Sequence, residues 1–464
     1  MTRALRLLLA ATALCGPALA FAMLPIQHWT QPGGARIYLV ESRVLPMVDI
    51  QLDFDAGTRR DPAGKPALAN FTANLLEKGL AARDPRRGAE QPPSPFDAAM
   101  DENRLGEAWA DLGASFDAEA GGDRMSFFIR SLTDPDLLAR AVALAARQIG
   151  EPSFPAAVWE RDRARTVASL RESLTRPATV AGRAFMPAVF GSHPYGGETT
   201  EESLATVSVD DMRAFHARHV QACQARITIV GAVSREQADR LAGALLARLP
   251  APSEAGACQA LPAVPEVAPL AAPVRRDIPF DSAQAHVFMG QPGYKRSDPD
   301  AFPMLVGNYI LGGGGFVSRL STEVREKRGL SYSVYSSFSP GLHAGAFFVG
   351  LQTRPDQAQQ AVQVARDVVA RFVADGPTAA ELQAAKDNLV GGFALRIDSN
   401  RKLLDNVSAM AWYDLPLDYL QTWTRRVEAV TVADVRAAFQ RKLQPDRMVT
   451  VIVGGAPVVQ SSTR

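Results

Sequence analysis

Histidine and cysteine are scarce in this chain. Its 464 residues hold six histidines and three cysteines. Cys15 falls in the N-terminal leader, which leaves Cys223 and Cys258. These two can pair in an oxidising compartment or stay as separate buried thiols, and their spacing does not decide between the two. An excess of charge of one sign is also missing. The formal net charge of +1 and pI near 7.8 give no push toward nucleic acid or an anionic membrane. There is no Gly-x-Ser-x-Gly elbow to carry a serine nucleophile. There is no Gly-Lys-Ser/Thr phosphate loop, so the glycines at 312–315 do not read as a nucleotide site. Beyond the N-terminus no segment is long and apolar enough to span a bilayer. What is present suits folding: 47% apolar residues is ordinary for a globular protein, and the length allows two or three domains.

The N-terminus reads as a secretion signal. Arg3 and Arg6 supply the positive region, residues 7–13 begin an apolar run, and Ala18-Leu19-Ala20 fits a small-x-small cleavage site. Gly16 and Pro17 interrupt the run, which is too short to span a membrane. Leu14 before Cys15 fits a lipoprotein box poorly. We expect residues 1–20 to be removed and the mature protein to be soluble in the periplasm of a Gram-negative-type cell.

The rest repeats itself. Val209-Asp210-Asp211-Met212-Arg213-Ala214 matches Val432-Ala433-Asp434-Val435-Arg436-Ala437, and without a gap Ile229-Val230-Gly231 meets Ile452-Val453-Gly454. Each segment predicts a helix, N-capped by Ser208 or Thr431, and then a buried strand ending at glycine. Earlier in each unit, residues 48–54 and 285–290 alternate like strands, and Asp61-Pro62 and Asp298-Pro299 read as helix starts. Residues 250–275 are rich in proline and alanine and read as a linker. Residues 81–97, with Pro92-Pro93-Ser94-Pro95, read as a surface loop. The expected fold class is α/β, an α+β sandwich of helices on a mixed sheet, repeated over domains 24–249 and 276–457.

Residues 67–80 read Ala-Leu-Ala-Asn-Phe-Thr-Ala-Asn-Leu-Leu-Glu-Lys-Gly-Leu, after Arg60-Asp61-Pro62-Ala63-Gly64-Lys65. This frame resembles the zinc-binding helix of the M16 (pitrilysin-like) metallopeptidases, which carry His-x-x-Glu-His at the same place. Two histidines one helical turn apart offer two ligands on one face, and the Glu between them serves as general base. Here Asn70, Ala73 and Asn74 stand at those three positions. The family's further Glu ligand, on a later helix, aligns with Ser169 in Val158-Trp159-Glu160-Arg161-Asp162-Arg163-Ala164-Arg165-Thr166-Val167-Ala168-Ser169. A catalytic zinc needs three protein ligands and an open position, and amide oxygen is a poor zinc donor. The resemblance therefore implies no zinc in this chain. As plain structure, the segment reads as an amphipathic core helix with Leu68, Phe71, Leu75 and Leu76 inward. His216 and His219 share a helix face, but no acid or cysteine follows at ligand spacing, so we expect helix-surface histidines. His193-Pro194-Tyr195 resembles a family loop and reads as structural.

The resemblance covers nearly all of the mature chain. It is most specific in the second half, from Leu311-Gly312-Gly313-Gly314-Gly315-Phe316-Val317-Ser318-Arg319-Leu320 through Arg325-Glu326-Lys327-Arg328-Gly329-Leu330-Ser331-Tyr332. In the family, an Arg and a Tyr of this run reach the zinc of a facing half, and their match is taken as Arg328 and Tyr332. A guanidinium fork can clamp a carbonyl, and a phenol can donate to an oxyanion. Structurally, residues 322–328 read as a helix ended by Gly329. Gly312, Gly313, Gly314 and Gly315 read either as a flexible substrate-handling loop or as a helix terminator. The resemblance implies paired half-domains forming half of a clamshell. It also implies a non-catalytic subunit that pairs with a separately encoded zinc-bearing homologue. The partner supplies the zinc, and the pair cleaves extended peptides, which strand addition to a sheet edge can hold. The alternative is a peptide-binding or scaffold protein of a periplasmic complex, with no part in catalysis.

Overall fold

The computed structural model describes residues 25–83, 96–249, 258 and 260–454. The expected signal, most of the surface loop and the start of the linker lie outside these residues.

Two mixed sheets form the frame. The first comprises β1 (Gln27–Thr30), β2 (Arg36–Glu41), β3 (Met47–Phe54), β6 (Ser115–Ala120), β7 (Met125–Leu132) and β8 (Arg226–Gly231), in the order β1-β2-β8-β3-β7-β6. A short hairpin, β4 (Gly79–Leu80) with β5 (Met100–Asp101), stands beside it. The second comprises β9 (Val274–Ile278), β10 (Ala285–Pro292), β11 (Val334–Phe338), β12 (Ala346–Thr353) and β13 (Val449–Val453), in the order β11-β12-β10-β13-β9. Helices pack on the sheets, which stay open. The α/β expectation holds.

The repeated segments fold alike. Helices Val209–His219 and Val432–Lys442 open with Ser208 and Thr431, whose hydroxyls accept the N–H of Asp211 (3.2 Å) and Asp434 (3.1 Å). Each third-position carboxylate bonds back to the cap N–H, so two orphan donors are met at once. The Asp-Pro pairs do not start helices. The first helix begins at Leu68, and the Asp61 carboxylate reaches forward to the N–H groups of Ala67 (2.7 Å) and Ala69 (2.8 Å). In the second half the helix begins at Ala301, and Asp298 accepts the N–H of Asp300 at 2.9 Å.

One face of each sheet is covered by helices of its own half, and the other by a helix from the opposite half. Leu404, Val407, Met410 and Ala411 of helix Asn400–Trp412 pack on Tyr38, Val40, Phe128 and Val230 of the first sheet. Ala181, Phe185 and Val189 of helix Pro177–Phe190 pack on Ala346, Val449, Val451 and Val453 of the second. Each fully buried side chain of this size contributes about 1.5–3 kcal/mol, so the exchange couples the halves. It also explains β3, whose Asp49, Gln51 and Asp53 are buried rather than facing water. They lie beneath the 400–412 helix. Burial pushes the Asp53 carboxyl up, opposed by Arg124 (2.9 Å), Ser126 (2.6 Å) and Gln51 (2.8 Å).

The linker does not run free. The Pro262 carbonyl accepts from Arg60, the Pro265 carbonyl accepts His193 Nε2–H at 3.1 Å, and Glu266 accepts the Ala344 N–H at 2.9 Å. Val267 is buried, and β9 starts at Val274, inside the stretch read as linker. Cys223 and Cys258 form a disulfide, with Cα atoms 5.9 Å apart, that fixes the near end of this strap to the first half.

Candidate functional site

Helix Leu68–Leu76 buries Leu68, Phe71, Leu75 and Leu76, as its apolar spacing predicts. Ala73 is also fully buried, while Asn70 is half-buried and Asn74 exposed. Asn70 Nδ2 donates to the Ala120 carbonyl on β6 at 2.6 Å. Ser169 sits exposed on helix Ala156–Ser173 and bonds to neither asparagine. The two helices meet through Phe71 and Trp159, edge to face at 4.9 Å. An amide already donating to a carbonyl, a methyl group, a second amide and a hydroxyl do not fit zinc, which needs imidazole, thiolate or carboxylate donors. Among the described residues no group of three His, Cys, Asp or Glu side chains is gathered to hold a metal.

His216 and His219 are buried, against the surface placement expected from sequence. His216 Nε2–H donates to the Ile149 carbonyl at 2.8 Å, and His219 Nδ1 meets the Asp55 carbonyl at 3.2 Å. Burial drives both ring pKa values down to about 4. The helix turns this face inward toward the preceding helices, so both rings act as neutral donors in the core. His193 is structural as read: its Nδ1 accepts the Tyr195 N–H at 3.1 Å.

In the second half, helix Ala301–Asn308 widens into a turn over Tyr309–Gly313. Gly312, Gly313 and Gly314 each pack closely against neighbouring atoms, while Gly315 faces open space. A Cβ on Gly312 would meet Ser336 N at 2.4 Å, and one on Gly314 would meet Tyr309 O at 2.7 Å. Only Gly315, at φ +66°, needs glycine for its backbone alone. The terminator reading suits them better than the flexible loop. Their placement leaves Phe316 and Val317 65% and 78% exposed.

The helix expected over 322–328 is a helical turn over Ser321–Glu326, and Gly329 beyond it, at a φ of +60°, reverses the chain as the terminator reading expects. The reversal decides which arginine faces Tyr332. Arg328 folds back, and its Nη1 donates to the Glu323 carbonyl and carboxylate, both at 2.7 Å. Arg325 instead lies 4.4 Å from the Phe316 ring centroid and 5.5 Å from that of Tyr332, and among the described residues no carboxylate lies within salt-bridge distance of it. Tyr332 is 79% exposed and lies outside β11. The structure does not join Arg328 to Tyr332. The arginine beside Tyr332 is Arg325, which was not singled out from sequence; the glycine at 329 returns residue 332 over residue 325. The surface therefore offers a guanidinium held by two exposed rings, a group able to clamp a carbonyl or carboxylate.

A family profile described as Peptidase M16 inactive domain matches residues 206–389. An uncharacterized zinc protease of Mycobacterium leprae is 26% identical over 420 residues, 88% of this chain and 87% of that protein. The non-peptidase homolog YmxG of Helicobacter pylori is 32% identical over 159 residues, 33% of this chain and 36% of that protein. The crystal structure of a peptidase M16 inactive domain from Pseudomonas fluorescens is 33% identical and superposes with a TM-score of 0.84, over 94% of this chain and 98% of that one. The periplasmic protease PqqL of Escherichia coli, at 16% identity, shares the fold with a TM-score of 0.76, over 93% of this chain and 46% of that one.

Proposed function

Because this chain belongs to the peptidase M16 family, we propose that it is the non-catalytic subunit of a two-chain peptidase. It is a non-catalytic member because the family's zinc helix here carries Asn70, Ala73 and Asn74, which neither hold the metal nor move a proton. That single observation carries the reading. The partner is a zinc-bearing M16 homologue encoded separately. This chain contributes one wall of the peptide chamber, with Tyr332 and Arg325 turned toward the substrate backbone and Arg328 steadied on Glu323. Export to the periplasm fits the N-terminal pattern and the Cys223–Cys258 disulfide, a bond that persists in oxidising compartments.

Metal analysis of the purified chain tests the reading, together with a peptide-cleavage assay with and without the homologue. We expect no stoichiometric zinc in the chain and cleavage only in the mixture. One tightly held zinc per isolated chain overturns it.

A further inference from the structure

Each open sheet has two edge strands, β1 and β6 in the first and β11 and β9 in the second, and β6 and β11 share a feature. In the hairpin after β6, Gly121 N–H donates to the Arg124 carbonyl at 2.8 Å, and Glu119 pairs with Ser126. Alternation along an antiparallel ladder then turns the backbone groups of Phe116, Ala118 and Ala120 outward. Two of these are taken by side chains from one helix. Ala118 N–H donates to Glu77 Oε1 at 2.5 Å, and the Ala120 carbonyl accepts from Asn70 at 2.6 Å. Glu77 is the C-cap of helix Leu68–Leu76 and Asn70 lies in its first half, so the two bonds lie along the strand. Just beyond, the carbonyls of Gly121 and Gly122 accept the N–H groups of Thr58 (2.9 Å) and Arg59 (3.0 Å).

The second sheet repeats the device. Ser339 N–H donates to the Ala346 carbonyl at 3.0 Å, which fixes the ladder phase and turns Ser336 outward. Its carbonyl accepts from Asn308 Nδ2 at 3.3 Å, and its hydroxyl donates to Asn308 Oδ1 at 2.7 Å. Asn308 ends helix Ala301–Asn308, the second half's counterpart of the 68–76 helix.

We propose that Asn70 with Glu77 on β6, and Asn308 on β11, are edge plugs, which close these two edges to strand addition by an extended peptide or a second copy. An unpaired edge is a template for another strand, and peptides held by strand addition need consecutive free N–H and C=O groups. Asn70 stands at a ligand position of the family's zinc helix, and in this chain that position serves the β6 edge instead. Given the pairing proposed above, an extended peptide pairs with the partner's sheet, and at the β6 and β11 edges this chain meets it through side chains.

Amide hydrogen exchange on the isolated chain tests the plug without any partner, so its outcome is separate from that of the pairing. Glu77→Ala is expected to speed exchange of the Ala118 amide about tenfold. Glu77→Gln, which keeps an oxygen acceptor, retains most of the protection and guards against a folding artefact. The Asn70→Ala, Glu77→Ala double variant is expected to self-associate in sedimentation where the wild type does not. An Ala118 amide that exchanges equally in wild type, Glu77→Gln and Glu77→Ala overturns the proposal.

Discussion

The Arg226 guanidinium on β8 lies 5.0 Å from the ring centroid of Trp412, and its Nη1 donates to the carbonyls of Ala411 (2.5 Å) and Trp412. These residues belong to opposite halves. The last carbonyls of a helix have no partner within it, and a cation there also meets the negative end of the helix dipole. Arg226 therefore caps helix Asn400–Trp412 from across the interface, while Asp414 pairs with Arg226 (3.2 Å) and Arg36 (2.9 Å). Arg226→Ala is expected to cost about 2–3 kcal/mol, since bonds from charged donors are among the stronger ones. Arg226→Lys restores only part, because an ammonium cannot fork. Urea unfolding of the three proteins gives the comparison, and equal midpoints would remove this role.

The same helix marks where sequence reading ends. Ser208, Thr431 and Gly329 were legible because caps and terminators are local chemistry. The repeat and the inward face of residues 68–76 were legible from periodicity. The exchange of helices was not, because an amphipathic face says that something covers it and not which half supplies the cover. The alternation of residues 48–54 therefore gave no sign that Asp49, Gln51 and Asp53 are buried, with Leu404 and Val407 over their sheet. At the site, the empty metal helix was plain in the residues. The choice between Arg325 and Arg328 depended on a chain reversal that spacing does not encode.

Arg325 and Arg328 make opposite predictions in the reconstituted pair. Arg328 is already bound to Glu323, so Arg328→Ala is expected to leave kcat/KM within about twofold, as loss of an exposed ion pair has little effect. Arg325→Ala and Tyr332→Phe are expected to lower it about ten- to a hundredfold, the range for removing a donor to developing charge. Steady-state kinetics decides, and unchanged turnover in Arg325→Ala ends its assignment to the substrate.

The disulfide anchors the strap between the halves. Its cysteines are 35 residues apart, and closing a loop of that length stabilises by about 3–4 kcal/mol in the chain-entropy account. Cys258→Ser is expected to lower the denaturation midpoint, and a reducing agent to do the same to the wild type but nothing more to the variant. A wild-type midpoint indifferent to reductant contradicts an anchoring role.

Acid should unfold this protein through its buried histidines. His216 is neutral in the fold, its pKa driven by burial from the ordinary 6.5 down to about 4. The unfolded chain therefore binds a proton there that the folded chain refuses. The associated stability is fully present above pH 6.5 and is lost as pH falls toward 4, by about 1.4 kcal/mol per pH unit for one such group. His219, also held near pKa 4, adds in the same direction. His216→Gln keeps a donor for the Ile149 carbonyl without a titrating ring. The variant is expected to melt with a shallower dependence on pH between 6.5 and 4 than the wild type. Its melting temperature is therefore expected to fall less across that window, and parallel curves would show that His216 carries no linked proton.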